Sequence, residues 1–137
     1  MPRRYVPDRG DIVWLQFTPQ AGHEQAGHRP ALTVSPLAYN RKAGLALFCP
    51  ITSRVKDYPF EVALPPGLPA SGAVLSDQIK SLDWQTRKAR RLCVAPEATV
   101  EEVLAKIHVL VGQGNGPGAN TTSLVGDSPR RPEPAAS

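Results

Sequence analysis

The chain has 137 residues, 41% of them hydrophobic, which fits one domain with a small core. A formal charge of +4 and a pI near 9.4 are compatible with a polyanionic partner without requiring one. Two cysteines, Cys49 and Cys93, stand far apart with no CxxC pair, which argues against a zinc cluster or a redox dithiol. The opening MPRRYVPDRGD has no apolar signal region, and no apolar run nears the roughly 20 residues that span a bilayer. A soluble, cytoplasmic protein with no membrane partner is the expectation.

GDIVWLQF, Gly10 to Phe17, reads as a first strand. Ile12, Trp14 and Gln16 point one way and Val13, Leu15 and Phe17 the other. Apolar residues on both faces suit a small, tightly curled sheet. TPQAGHEQAGHRP follows as a long loop, because its glycines and prolines favour no regular element. ALTVSP is a second strand, LAYNRKAG a short helical turn stopped by Gly44, LALFCPIT a third strand and YPFEVAL a fourth. LPPGLPASG is a turn-rich connection. AVLSDQIKSLDW gives a fifth strand with a short extension, and ARRLCVAP another strand.

The period then changes from 2 to 3.6. TVEEVLAKIHVLVG places Val100, Val103, Leu104, Ile107, Leu110 and Val111 on one stripe. Thr99 and Glu102 have capping-box spacing, and Gly112 is a C-terminal stop. From Gln113 the chain is rich in Gly, Ser, Asn and Pro and cannot offset its ordering entropy by burial. The expected organisation is a folded domain over 1–112 and a flexible tail over 113–137. Short strands followed by one amphipathic helix predict an α+β fold, a small half-open barrel with helical additions.

GHEQAGHRPALTVSP, Gly22 to Pro36, concentrates the chemistry at the mouth of the second strand. Three readings compete: a metal site, a catalytic edge, or a solvated loop. His23-Glu24 and His28 give HExxxH, one residue too long to set two histidines on one helix face. No GxSxG, P-loop or GxGxxG is present. RNA cleavage is different, because the substrate carries its own nucleophile, the 2′-OH. The enzyme supplies a base, a cation or strong donors, and an acid, with no metal. Glu24, His28 and Arg29 offer those groups at one junction, and Thr52 and Ser53 add hydroxyl donors after the third strand. Phe17, Lys56, Tyr58, Lys80 and Arg87 fall near strand ends, where aromatics stack bases and cations neutralise phosphates. The plain alternatives are core packing for Phe17, solvated charges for the lysines and a solvated strand edge for RKARR.

These same stretches resemble the MazF/PemK/Kid family of toxins. RYVPDRGDIVWLQFTPQAGHEQAGHRPALTVSP is similar to that family's first strand, loop and second strand. YNRKAGLALFCPITS and KDYPFEV are similar to its third and fourth strands, and GAVLSDQIKSLDW with a helix ending KIHVLVG completes the pattern. The likeness covers roughly residues 4 to 112. It implies an SH3-like curled antiparallel barrel, acting as a homodimer. It implies a sequence-specific, metal-independent endoribonuclease that cleaves single-stranded RNA to 2′,3′-cyclic phosphate and 5′-hydroxyl ends, with no cofactor. The family's arginine falls on Arg29 in HRP, its threonine on Thr52 in PIT and its acidic loop residue on Glu24. His28, Gln78 and Lys80 become RNA-contact candidates beside Phe17, Ser53, Lys56 and Tyr58. Arginine is effectively always protonated, so Arg29 suits phosphorane stabilisation and Glu24 is the better base. A MazE-like antitoxin with an acidic segment over the RNA groove is the implied partner. The same barrel type also resembles CcdB-like toxins, which act on gyrase through protein contacts rather than by cutting RNA.

Overall fold

The computed structural model describes residues 5–17 and 27–112. Its strands are β1 (Asp11–Gln16), β2 (His28–Thr33), β3 (Ala46–Thr52), β4 (Glu61–Ala63), β5 (Ala73–Leu75), β6 (Lys80–Leu82) and β7 (Arg90–Val94). Two helices accompany them, α1 (Leu37–Ala43) and α2 (Glu97–Val111). All pairings are antiparallel, in the order β4-β5-β3-β2-β1-β7, with β6 also on β3. The end strands β4 and β7 do not pair with each other, so the sheet is open among the described residues.

The alternation expected in β1 is present, and both of its faces are covered: Ile12, Val13 and Leu15 are all 0% exposed. Val13 and Leu15 join Ala31, Ala46, Phe48, Leu82 and Trp84 in one apolar cluster, with Phe17 packed at its margin. β2 starts at His28, three residues earlier than expected from ALTVSP. Proline argues against an internal strand. Pro30 nevertheless faces Trp14 of β1, and the β2–β3 ladder ends at Ala31↔Pro50, beyond which Pro30 needs no partner on β3.

The expected fifth strand is two strands. β6 pairs with the first half of β3 (Phe48↔Lys80) and β5 with the second half (Thr52↔Ala73), both on the edge away from β2. A 3-10 turn, Ser76–Gln78, separates them. The pairing register slips by three residues between the two ladders, which is the length of that turn. β3 is thereby shared between two ladders, and the sheet bends there.

α1 ends as expected, with Gly44 left-handed at φ 72 and its N–H donating to the Asn40 carbonyl. Its start is capped from a distance: the Asp8 carboxylate accepts the Leu37 N–H at 2.9 Å. Fully buried Asn40 ties three segments together. Its amide donates to the carbonyls of Pro7 (2.7 Å) and Ser35 (2.9 Å), and its Oδ1 accepts from the Ser35 hydroxyl. Trp84 Nε1 donates to the Asn40 carbonyl at 3.1 Å.

α2 begins two residues before the expected cap. The Pro96 carbonyl accepts the N–H groups of Thr99 and Val100, so Thr99 lies inside the helix, buried, and no capping box forms. The chain divides into two units, Met1–Leu104 and Ala105–Ser137. In the first, Val100 and Val103 of the expected stripe are buried; in the second, Leu110 and Val111 are exposed. The tail expected at 113–137 lies outside the described residues. No helix among the described residues is long and apolar enough to cross a membrane.

Candidate functional site

Strand alternation sorts the candidates before any side-chain contact is considered. Arg29 pairs with Leu15, and Lys80 with Phe48, so both share the face of Val13, Leu15 and Phe17. The β2–β3 ladder ends at Ala31↔Pro50, and strand alternation puts Arg29 and Thr52, each two residues from that pair, on the same face. Residues from β2, β3 and β6, with Phe17 just past β1, therefore share one face.

Phe17 is the centre of that group. Arg29 Cζ lies 6.0 Å and Lys80 Nζ 5.8 Å from its ring centroid, so two exposed cations flank one half-buried aromatic. The backbone of Phe17 is held as well. Its N–H donates to the Gly27 carbonyl at 2.8 Å, and its carbonyl accepts from Arg87 at 3.0 Å.

Thr52 ends β3. Its Oγ1 accepts the Arg54 N–H at 3.0 Å, which occupies a lone pair and leaves the hydroxyl proton to donate elsewhere. Gly72 lies directly against it. A Cβ at Gly72 would fall 1.9 Å from the Thr52 carbonyl oxygen, and the backbone there has φ +114. Only glycine allows β5 to approach at this point.

Beyond Thr52 opens a groove of about 580 Å³ lined also by Arg54, Lys56, Asp57, Tyr58, Glu61, Asp77 and Gln78. The Glu61 carboxylate accepts the Lys56 N–H (3.0 Å), and Tyr58 OH donates to Asp77 Oδ2 (3.0 Å). That hydrogen bond, with the nearby carboxylate charge, holds the Tyr58 hydroxyl above its usual range and keeps it a donor. Asp57 is left-handed at φ 59, an unfavourable conformation for a non-glycine residue at a groove wall. Behind the wall, burial pushes the Cys49 thiol up to about 12, with the Asp77 charge adding to the effect.

The sequence candidates therefore fall into two adjoining sets. Phe17, Arg29 and Lys80 form one; Thr52, Lys56, Tyr58 and Gln78 line the other. Ser53 is exposed beside Thr52 and is not among the groove-lining residues. His28 is on the opposite sheet face, stacked on Trp14 with centroids 5.9 Å apart and planes at 19°. Glu24 lies outside the described residues. Sequence reasoning passed over Asp77, although it sits in SDQIK next to Gln78, and over Gly72, whose role is visible only once β5 meets β3. Arg87 was considered as a groove cation, but its guanidinium is committed to β1 carbonyls.

Residues 8–111 match the profile of the PemK-like, MazF-like toxins of type II toxin-antitoxin systems. The endoribonuclease toxin MazF of Escherichia coli K12 is 50% identical over 113 residues, covering 82% of this chain and 100% of that protein. The crystal structure of MazF from Deinococcus radiodurans is 57% identical with a TM-score of 0.73, over 80% of this chain and 99% of that one. A MazE-MazF crystal structure from the same organism is 50% identical with a TM-score of 0.71, over 80% and 98%. A profile match over residues 8–111 and likeness over nearly the whole length of these proteins place it in one lineage: this chain belongs to the PemK-like, MazF-like family of type II toxins.

Proposed function

We propose that the chain is the toxin of a type II toxin–antitoxin pair and acts as a sequence-specific endoribonuclease on single-stranded RNA. The observation that carries this reading is the Phe17 ring with two cations, Arg29 and Lys80, about 6 Å from its centroid, on the sheet face that strand alternation also gives to Thr52. The curated relative named an endoribonuclease toxin supports the activity. The MazE-MazF structure supports an antitoxin partner.

RNA supplies the nucleophile. The 2′-OH loses its proton to a base and attacks phosphorus, the P–O5′ bond breaks, and the 5′-oxygen gains a proton. The products are a 2′,3′-cyclic phosphate and a 5′-hydroxyl, with no metal or cofactor needed to balance the step. Arg29 stabilises the charge on the crowded phosphorane, and the Thr52 hydroxyl donates to the same phosphate. Glu24 takes the 2′-OH proton. Phe17 and Tyr58 stack bases, Lys56 and Lys80 neutralise phosphates, and Gln78 reads a base edge. Ser53 and His28 are outer contacts, with His28 acting from the Trp14 face.

The open sheet curls into an SH3-like half-barrel spanning a toxin domain of residues 1–112. The toxin acts in the cytoplasm as a homodimer, for which exposed Val109, Leu110 and Val111 offer apolar surface. A MazE-like antitoxin lays an acidic segment along the RNA groove and blocks it by occupancy. The test is incubation of a long unstructured RNA in EDTA, with both ends of every fragment mapped. Cuts at one short motif with cyclic phosphate ends are expected. Intact RNA with folded protein would overturn the reading.

A further inference from the structure

Arg87 is a half-buried cation near the proposed RNA face, yet one nitrogen of its guanidinium is bonded back to the protein. One nitrogen, Nη1, donates to the carbonyls of both Gln16 and Phe17 at 3.0 Å each. The same strand end is gripped a second time, because the Gln16 N–H donates to the Arg87 carbonyl at 3.2 Å. These carbonyls belong to the last residue of β1 and the residue after it.

The platform under Arg87 is rigid. It sits in a turn closed by the Arg87 N–H donating to the Asp83 carbonyl (3.1 Å) and the Ala89 N–H donating to the Trp84 carbonyl (3.0 Å). The Asp83 carboxylate accepts the N–H groups of Gln85 and Thr86. Trp84 is buried in the apolar cluster. A charge-assisted clamp therefore links a core-anchored turn to the residue that carries the aromatic ring. The Phe17 ring stands about 6 Å from Arg29 and Lys80.

We propose that Arg87 is a positioning residue for RNA: it fixes Phe17 so that the ring receives a base between Arg29 and Lys80, and it touches no phosphate itself. This rests on the ribonuclease reading above. The chemistry separates the two roles. A cation that neutralises a phosphate contributes about 0.7 to the salt slope of single-strand binding. A clamp on a carbonyl contributes none, and acts only through the ring it holds.

The test uses the full chain and an oligonucleotide of the mapped cut site made with 2′-deoxyribose, which lacks the nucleophile. Affinity is measured across a salt series for wild type, Arg87→Ala, Phe17→Ala, the double variant and Lys80→Ala. Loss of a stacked base weakens binding by about 10-fold. Arg87→Ala is expected to weaken binding by a similar factor with the wild-type salt slope, and the double variant to be no weaker than Phe17→Ala. Lys80→Ala is expected to lower the slope by about 0.7. A lowered slope in Arg87→Ala, or losses that multiply in the double variant, would overturn the proposal. Should Arg87→Ala not fold, Arg87→Lys, which keeps a donor nitrogen, takes its place in the same cycle; failure of both to fold would leave a purely structural clamp and also overturn it. Wild type that binds no oligonucleotide would remove the ribonuclease reading itself, whereas normal wild-type binding with either adverse result removes only the role of Arg87.

Discussion

Replacing Gly72 with alanine tests whether the backbone at Thr52 sets the chemistry. The added Cβ would fall 1.9 Å from the Thr52 carbonyl oxygen and 2.8 Å from its carbon, where real contacts are not found below 3.0 Å. The end of β3 must retreat by about 1.1 Å to relieve the closer contact. Misplacing a catalytic group by 1 Å costs on the order of 10²-fold in rate. Alanine at φ +114 also carries backbone strain of about 1–3 kcal/mol. Gly67 separates the two effects, because it has φ +95 with nothing within 4 Å of its would-be Cβ. Under single-turnover conditions, Gly72→Ala is expected to cut RNA about 100-fold more slowly than wild type. Gly67→Ala is expected to lose melting temperature while keeping its rate. A folded Gly72→Ala with the wild-type rate, or equal rate losses in both variants, would refute the argument that this contact positions Thr52.

Other perturbations report on the scaffold. Asn40→Ala strips the carbonyls of Pro7 and Ser35 and the Ser35 hydroxyl of buried partners. It is expected to cost about 3 kcal/mol in denaturant unfolding; a loss under 1 kcal/mol would mean these groups find water. Asp8→Ala removes the acceptor for the Leu37 N–H and should cost about 1 kcal/mol, with unchanged stability showing that the cap is dispensable. Cys49 should resist iodoacetamide at pH 8 in the native state and react after unfolding, as read by mass spectrometry, since burial lifts its thiol to about 12. Its folded value is raised above the ordinary 9.0, so its contribution to stability is intact below pH 9 and is withdrawn as pH climbs toward 12. Rapid native labelling of Cys49 would contradict the burial argument.

Much of this architecture is legible in the chain because it is local. β1 declares both faces through alternating apolar residues, and Gly44 stops α1 by the left-handed conformation it alone adopts cheaply. The features that were misplaced depend on partners remote in sequence. Pro30 argued against the start of β2, but the end of the β3 ladder makes its missing N–H harmless. AVLSDQIKSLDW reads as one strand with a short extension, and only its two separate pairings with β3 expose the turn at Ser76–Gln78. Thr99 and Glu102 have the spacing of a cap, but Pro96 sits three residues before Thr99 and starts the helix with its own carbonyl.

The site divides in the same way. Arg29 and Thr52 could be chosen from sequence because their residue types suit phosphate chemistry and their stretches resemble the family, and strand alternation then puts them on one face. His28 is adjacent to Arg29 in the chain, yet neighbouring strand residues point to opposite faces, which sends it to Trp14. Gly72 carried no local signal, and Arg87 read only as a groove cation. Each matters through one long-range backbone contact, to Thr52 and to Phe17 respectively.

The most direct measurement is a double-mutant cycle on the cleavage rate, using wild type, Arg29→Ala, Thr52→Val and the double variant on one RNA containing the mapped site. If both groups act on one phosphate, each single change should slow cleavage by about 10²–10³-fold, and the double variant should be far less impaired than the product of the two losses. Independent, multiplying losses, or a Thr52→Val variant that cuts at the wild-type rate, would contradict a shared site on the face common to Arg29 and Thr52.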